Sequence, residues 1–485
     1  MQRLKEITSV FEKHGYSVHD IICSTIKEFK LKTLCHKSGI SKSDGFSVTE
    51  LLCLLLMLPL MAVKSVNQMY GSQYAKLAAM QKDTIYRFKN DERFSWRTFM
   101  YAAAKMFRTL TTKTEQQDNT KQITALILDD TTDQRTGYKM ENISWVHDHV
   151  LGKAVLGFKT LVLTFFDGTS TIPLDFTIHK EKALNTKRQR QQYKKEVKKG
   201  SHGEKRRKEA STSKIKQSLL MVRRAIKQGF IPKYLLCDSW FTCKELIQMV
   251  RDVANGKMHI IAGIRNDNRK YGYKDGLFNA KEIIAQLKGT TNQRRCRKLG
   301  ILYYEAAVHY TGVGTVKLAM CRYPHQKKWR IFITTDTSLT FVKMMEIYAI
   351  RWTIEVLFRE CKQHLNFGKC QSQDFDAQIS NTAICFILYA LLAYRKRKLS
   401  YEFPNECITT GQMVLDACKD IIEKTLFERI FELFEEILAF LIGVIAEHGT
   451  MDISQLMDSA EYLYAKEILR SSFLFEQIKS VDNAA

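Results

Sequence analysis

The sequence predicts an α/β protein in which one mixed sheet is flanked by helices, interrupted by a β-rich insertion and extended by helical regions at both ends. Three observations carry this. Apolar, β-branched runs over 123–128, 154–166 and 169–178, the last two joined at Asp167-Gly168, read as a buried strand followed by a hairpin. A helical period from Ile215 to Ile226, a strand Tyr234 to Cys237, a helix Phe241 to Val250 and a strand His259 to Ile264 then alternate. A strand over Trp329 to Thr335 leads into a long amphipathic helix from Leu339 to about His364. Three antiparallel strands followed by alternating helix and strand make a sheet covered on both faces.

Taken in order, residues 1–115 read as helical, with Pro59 as a kink or break. Within them, Tyr74 to Met80 leads through Gln81-Lys82-Asp83 into Thr84 to Phe88, which fits a helix-turn-helix or a plain helical hairpin. Lys82, Arg87, Lys89, Arg93 and Arg97 would give it a basic surface, so 1–115 is expected to be a DNA-binding region. Residues 120–264 and 331–400 form the expected sheet domain. Between them, 265–330 reads as a β-rich insertion, with strand-like Ile301 to Tyr304 and Val316 to Met320 around the turn at Thr311 to Gly314. Residues 181–220 hold 14 Lys/Arg against 4 Asp/Glu, either a solvated, partly mobile loop or one that tracks phosphates at the sheet edge. From Tyr401 onward the chain is helical and acidic, with 6 Lys/Arg against 16 Asp/Glu, a segment suited either to dimerisation or to repelling DNA until assembly.

The whole chain of 485 residues carries a net charge of +24, and nucleic acid is the leading polyanionic partner for such a field. The 12 cysteines are scattered without a C-x-x-C pair, which argues against structural zinc and for free thiols in a reducing cytoplasm. The start lacks the apolar stretch of a signal peptide, and the longest apolar run, Leu51 to Val63, is short for a bilayer and contains Pro59. The expectation is a soluble intracellular protein without a membrane partner.

Two of the expected strands end in aspartate, Asp130 and Asp238. Carboxylates at the carboxyl ends of neighbouring strands sit where ligands of α/β proteins bind, and they suit Mg²⁺ or Mn²⁺; taken singly, each also fits a turn cap. The long helix adds Tyr348, Arg351, Glu355 and Lys362, which at about 100° per residue share one polar stripe roughly 60° wide. Ile350, Ile354, Leu357 and Cys361 fall on the opposite, apolar side.

Tyr348-x2-Arg351-x3-Glu355-x6-Lys362 resembles the Y-R-E-K signature of bacterial insertion-sequence transposases, the insertion-sequence-four family of DDE enzymes. Asp130-Thr131-Thr132 looks like the family's first aspartate, and Asp238 within Leu235-Leu236-Cys237-Asp238-Ser239 like its second. Asp129 competes with Asp130, and the Thr-Thr pair after Asp130 favours Asp130. The resemblance covers about residues 75–400. It implies a ribonuclease-H-like catalytic fold with a β-rich insertion before the glutamate. It also implies cut-and-paste transposition: nicking at transposon ends, hairpin formation by the freed 3′-hydroxyl, resolution and strand transfer. Asp130, Asp238 and Glu355 would be catalytic and hold two Mg²⁺ or Mn²⁺ ions, while Tyr348, Arg351 and Lys362, with Arg87 and Arg97 of the N-terminal region, would contact DNA. The implied partners are double-stranded DNA (terminal inverted repeats and target) and a second copy of the chain in a synaptic dimer, at the bacterial nucleoid. A nuclease that cuts without joining and a non-catalytic DNA-binding descendant are the alternatives. Trp240, Phe241 and Trp352 are expected to pack against the sheet rather than stack on bases, and His147 and His149 to be structural or DNA-facing rather than metal ligands.

Overall fold

The computed structural model describes residues 21–72, 74–75, 80–114, 122–253, 256–290, 293–448, 463 and 466. The chain divides into two compact units, one of Met1–Phe107, Cys361–Ser372 and Asp376–Ala485, the other of Arg108–Glu360 and Gln373–Phe375.

The second unit is built on a single sheet. Among the described residues its twelve strands are β1 (Ala125–Gln134), β2 (Ser144–Asp148), β3 (Lys153–Phe166), β4 (Thr171–His179), β5 (Tyr234–Cys237), β6 (His259–Ile264), β7 (Lys270–Tyr273), β8 (Gly276–Asn279), β9 (Arg294–Cys296), β10 (Ile301–Tyr310), β11 (Gly314–Arg322) and β12 (Arg330–Thr334). Their order is β2-β3-β1-β5-β6-β12-β11-β10-β7-β8, with β4 also on β3 and β9 on β10. β1, β5 and β6 run parallel, and the remaining pairings are antiparallel. Helices Lys214–Lys227 and Lys244–Val253 make the connections into β5 and β6, and β4 and β5 are buried along their whole length, as strands covered on both faces must be. The mixed sheet with flanking helices is the fold class the sequence predicts.

Local chemistry explains the hairpin between β3 and β4. Asp167 Oδ1 accepts the amides of Thr169 (3.0 Å) and Ser170 (2.7 Å), while Gly168 takes φ of 109°, open to glycine without strain. Ser213 caps Lys214–Lys227 through the Lys216 amide. The strands of 265–330 do not close on themselves: β11 pairs with β12, so the β-rich segment prolongs the same sheet, with helix Ala280–Thr290 between β8 and β9.

Three sequence expectations are revised here. Strand β1 does not end at Asp130 but continues to Gln134, because β3 pairs with it throughout; only its pairing with β5 stops, at Leu128. The long helix is two, Phe341–Ala349 and Trp352–His364. At the junction the amides of Ile350, Arg351 and Ile354 bond to the carbonyls of Ile347, Tyr348 and Arg351, three residues back, so the turn tightens and a continuous helical wheel does not apply. Finally, 181–220 holds the helices Thr186–Arg190 and His202–Ala210 and the start of Lys214–Lys227. Its basic residues partly serve the fold: Arg206 Nη1 donates to the Phe176 carbonyl (2.6 Å), and Arg207 grips Glu141 through two nitrogens, each at 2.7 Å.

The first unit is helical. Ser47 and Glu50 form a reciprocal capping box at the start of Val48–Met57, whose apolar residues are buried, and Pro59 opens the 3₁₀ turn Pro59–Met61. Of the suggested helix-turn-helix, Lys82–Lys89 is a helix, while most of the preceding Tyr74 to Met80 lies outside the described residues. Trp96 packs edge to face on Phe88, Phe94 and Phe99, and Phe88 lies tilted against Phe94. Lys89 does not join a basic surface, because it is only 8% exposed. Helix Phe375–Glu402 has the length and hydropathy of a membrane span, but 89% of that apolar window is buried inside the protein, as in a core helix. In the acidic C-terminal segment the helix Thr410–His448 is described, and most of residues 449–485 lie outside the described residues.

Candidate active site

The parallel pairing of β1 and β5 positions the acidic residues. Leu128 is in register with Cys237, so the next residues on each strand, Asp129 and Asp238, emerge together where the pairing stops. Partners in register on parallel strands project to the same face, and neighbouring strands lie about 4.8 Å apart. Asp130, one residue on, necessarily faces the other way.

On the Asp129 face stand Arg351 and Glu355. The Arg351 guanidinium donates to Asp129 Oδ2 through Nη1, and the same nitrogen lies 3.5 Å from Glu355 Oε1. It also sits 5.8 Å from the ring centre of Tyr348, which packs edge-on against Phe332. Burial pushes the Asp129 carboxyl up to about 7; Arg351 opposes this, and Glu355 and Asp130 add to it. Burial also pushes the Tyr348 phenol up, helped by the charges of Asp238 and Asp129. Asp238 acts on both Arg351 and Tyr348, so the three carboxylates, the guanidinium and the phenol form one electrostatic group. Glu355 is more open than Asp129, its side chain 40% exposed against 13%. The break before Trp352 aims this group: Arg351 lies in the turn and Glu355 in the first turn of the next helix, while Ile354, Leu357 and Cys361 are buried as the apolar stripe predicts.

On the opposite face, Asp130 is held by two cations. Its oxygens lie 2.8 Å from Lys214 Nζ and 3.3 Å from Lys159 Nζ, whose side chains are 9% and 3% exposed. Lys214 also pairs with Glu181 at 3.0 Å and stands 4.3 Å from the ring centre of Trp240. His179 completes this side, with Nε2 on the Thr177 hydroxyl and Nδ1 on the Thr212 carbonyl; burial, aided by Lys214, pulls its pKa down to about 4. No sequence signal marks Lys159 or Lys214, since only strand parity would announce them and Leu126, Ile127 and Leu128 of β1 are all buried.

The remaining expected residues differ in exposure. Lys362 is exposed on Trp352–His364, Arg87 is exposed on Lys82–Lys89, and Arg97 is half-buried. Phe241 is buried as expected, whereas Trp352 is 61% exposed and does not pack into the sheet. Trp240 is flanked by Lys214 and by Arg265 at 5.9 Å. His147 and His149 lie edge to face at 4.9 Å, and the His147 amide donates to Glu181 Oε2.

Three carboxylates, Asp129, Asp238 and Glu355, offer the hard oxygens that a divalent cation prefers, so the donor set fits such an ion. Among the described residues no three His, Cys, Asp or Glu side chains close into a ready-made metal cage, and Arg351 touches both Asp129 and Glu355.

A mixed sheet flanked by helices, with aspartates where the pairing of two adjacent parallel strands stops and a glutamate on a following helix, is the ribonuclease-H-like arrangement of nucleases that act on phosphodiesters. Residues 38–283, about half of the chain, match the family model of DDE superfamily endonucleases, and residues 202–391 match that of the transposase DDE domain. The chain belongs to the DDE endonuclease superfamily and carries a transposase-type nuclease domain. Among curated proteins no sequence matches it.

Proposed function

We propose that this protein is an insertion-sequence transposase of the insertion-sequence-four type, which cleaves transposon ends and joins them to target DNA through hairpin intermediates. The observation that carries the reading is the in-register emergence of Asp129 and Asp238 beside Arg351 and Glu355. Asp129, Asp238 and Glu355 form the catalytic triad, with Asp129 taking the position the sequence assigns to Asp130. They hold Mg²⁺ or Mn²⁺, and such ions, when bound, stabilise charge on the attacking and leaving oxygens of the phosphodiester. Arg351 keeps the carboxylates from repelling one another and the incoming strand, and its guanidinium suits a scissile phosphate. Tyr348 shapes the site from behind. Lys362, with Arg87 and Arg97, contacts the DNA backbone, and exposed Trp352 offers a stacking face beside the site. Two copies of the chain pair the two ends in a synaptic complex, and the protein acts at the bacterial nucleoid.

The test is cleavage and joining in vitro. Duplex DNA carrying the inverted repeats that flank the gene is incubated with the protein, Mg²⁺ and a target plasmid. End cleavage, hairpin products and joined molecules are expected, and each should vanish in Asp129→Ala, Asp238→Ala and Glu355→Ala. Cleavage without joined product would make the protein a nuclease, and no cleavage at all a DNA-binding descendant.

A further inference from the structure

The helical unit contains a cavity of about 390 Å³ that the catalytic chemistry does not use. Leu55, Leu58, Ile384 and Leu388 form an aliphatic wall, while Lys64, Asn67, Asn90, Gln371 and Ser372 line it with polar groups; among the described residues no lining side chain is acidic. Lys89 and Tyr86 reach the cavity from helix Lys82–Lys89. Only 8% of Lys89 is exposed. Its Nζ has two partners, Asn381 Oδ1 at 3.4 Å and Cys370 Sγ at 3.7 Å. Neither is a carboxylate, and the contacts are long for a charged donor that can make three strong hydrogen bonds. Taking an ammonium out of water is costly unless an opposite charge answers it. Elsewhere in the same unit Lys398 pairs with Glu28 at 3.0 Å, but among the described residues no carboxylate approaches Lys89. Lys89 also lines the cavity.

We propose that this cavity is a nucleotide-binding site in which Lys89 anchors a phosphomonoester. A second ammonium, Lys64, and several amide side chains around the same space suit a dianion with several acceptor oxygens better than a single carboxylate. The aliphatic wall and the Tyr86 ring provide the surface for a flat, weakly polar base. The volume lies in the range of about 300–1,000 Å³ typical of small-molecule sites. The phosphate can belong to a free nucleotide or to the 5′ end of a DNA strand, and the recognising chemistry is the same. The site belongs to the helical unit rather than to the sheet unit of Asp129, and it does not rest on the transposase reading.

The test uses full-length protein titrated calorimetrically with dAMP, deoxyadenosine and inorganic phosphate. Saturable dAMP binding is expected, weakened by about tenfold or more for deoxyadenosine and for Lys89→Met. A preference for a 5′-phosphorylated oligonucleotide over its 5′-hydroxyl twin, lost in Lys89→Met, would assign the ligand to DNA ends; dAMP binding without that preference would assign it to a free nucleotide. Lys89→Met removes an unanswered buried charge, so its melting temperature should equal or exceed that of the wild type without ligand. Should that variant fail to fold, weaker dAMP binding by Lys64→Ala and the wild-type ratio of dAMP to deoxyadenosine decide the matter. The proposal is overturned if the wild type shows no saturable dAMP binding, or if folded Lys89→Met binds dAMP as tightly. It is equally overturned if deoxyadenosine, or phosphate alone, matches dAMP.

Discussion

Replacing the adjacent aspartates of β1 one at a time by asparagine separates the two faces of the sheet. Asp130 answers two buried ammonium groups, Lys214 at 2.8 Å and Lys159 at 3.3 Å. Removing one partner of a buried pair costs about 3–5 kcal/mol. Lys214 keeps Glu181, and Lys159 keeps the Thr132 hydroxyl and the His147 carbonyl, so Asp130→Asn should sit at the low end, about 3 kcal/mol. Asp129 behaves oppositely. Its carboxyl is pushed from an ordinary 3.8 up to about 7, so holding it ionised in the fold costs on the order of 4 kcal/mol. Below 3.8 the group is protonated folded or unfolded, between the two values stability falls as pH rises, and above about 7 the full cost is present. Asp129→Asn should therefore be no less stable than the wild type at pH 8, with the difference shrinking towards pH 5. Urea denaturation monitored by tryptophan fluorescence at both pH values measures the stabilities, and Mg²⁺-dependent end cleavage measures activity. Asp129→Asn should fold and fail to cleave. Equal destabilisation by the two variants, or full cleavage by Asp129→Asn, would refute the assignment of faces.

Lys214→Met leaves Asp130 with Lys159 alone and removes the cation beside Trp240, so it should lower stability by about 3 kcal/mol in urea melts, whereas Lys362→Ala should leave stability within about 0.5 kcal/mol of wild type. His179 is held neutral in the fold, with its pKa pulled to about 4 from an ordinary 6.5. Its contribution is complete above 6.5 and is lost as the pH falls towards 4, so His179→Gln should flatten the stability–pH curve across that window. Gly157 faces Gln134 across β1 and β3, and a Cβ there would lie 2.2 Å from the Asp133 carbonyl oxygen. Gly157→Ala should therefore cost about 1–3 kcal/mol, read as a lower melting temperature, and a melting temperature unchanged from wild type would show that the strands yield freely.

Much of the architecture is legible along the chain because its causes are local. Asp167-Gly168 announces a hairpin through its own turn chemistry, Ser213 announces a helix, and the buried positions Ile354, Leu357 and Cys361 come from helical spacing. Other features have no local signal. The break at Ile350-Arg351 carries no proline or glycine. The basic run of 181–220 looks solvated by composition, yet Arg207 and Lys214 find Glu141 and Asp130, far from them in sequence.

The choice between Asp129 and Asp130 shows where the division falls. By itself the sequence determined a mixed sheet, a pair of acidic positions at strands and a helical segment around Arg351 and Glu355, though not the turn that holds Arg351, because periodicity, turn residues and residue chemistry are properties of neighbours. Leu126, Ile127 and Leu128 are all fully buried, so no polar alternation marks which side of β1 faces which layer. Only the pairing of Leu128 with Cys237, residues more than a hundred positions apart, settles that Asp129 shares a face with Asp238. Side chains on a strand alternate with a period of two, and a shift of one residue moves a carboxylate from the candidate catalytic face to the lysine-bound one.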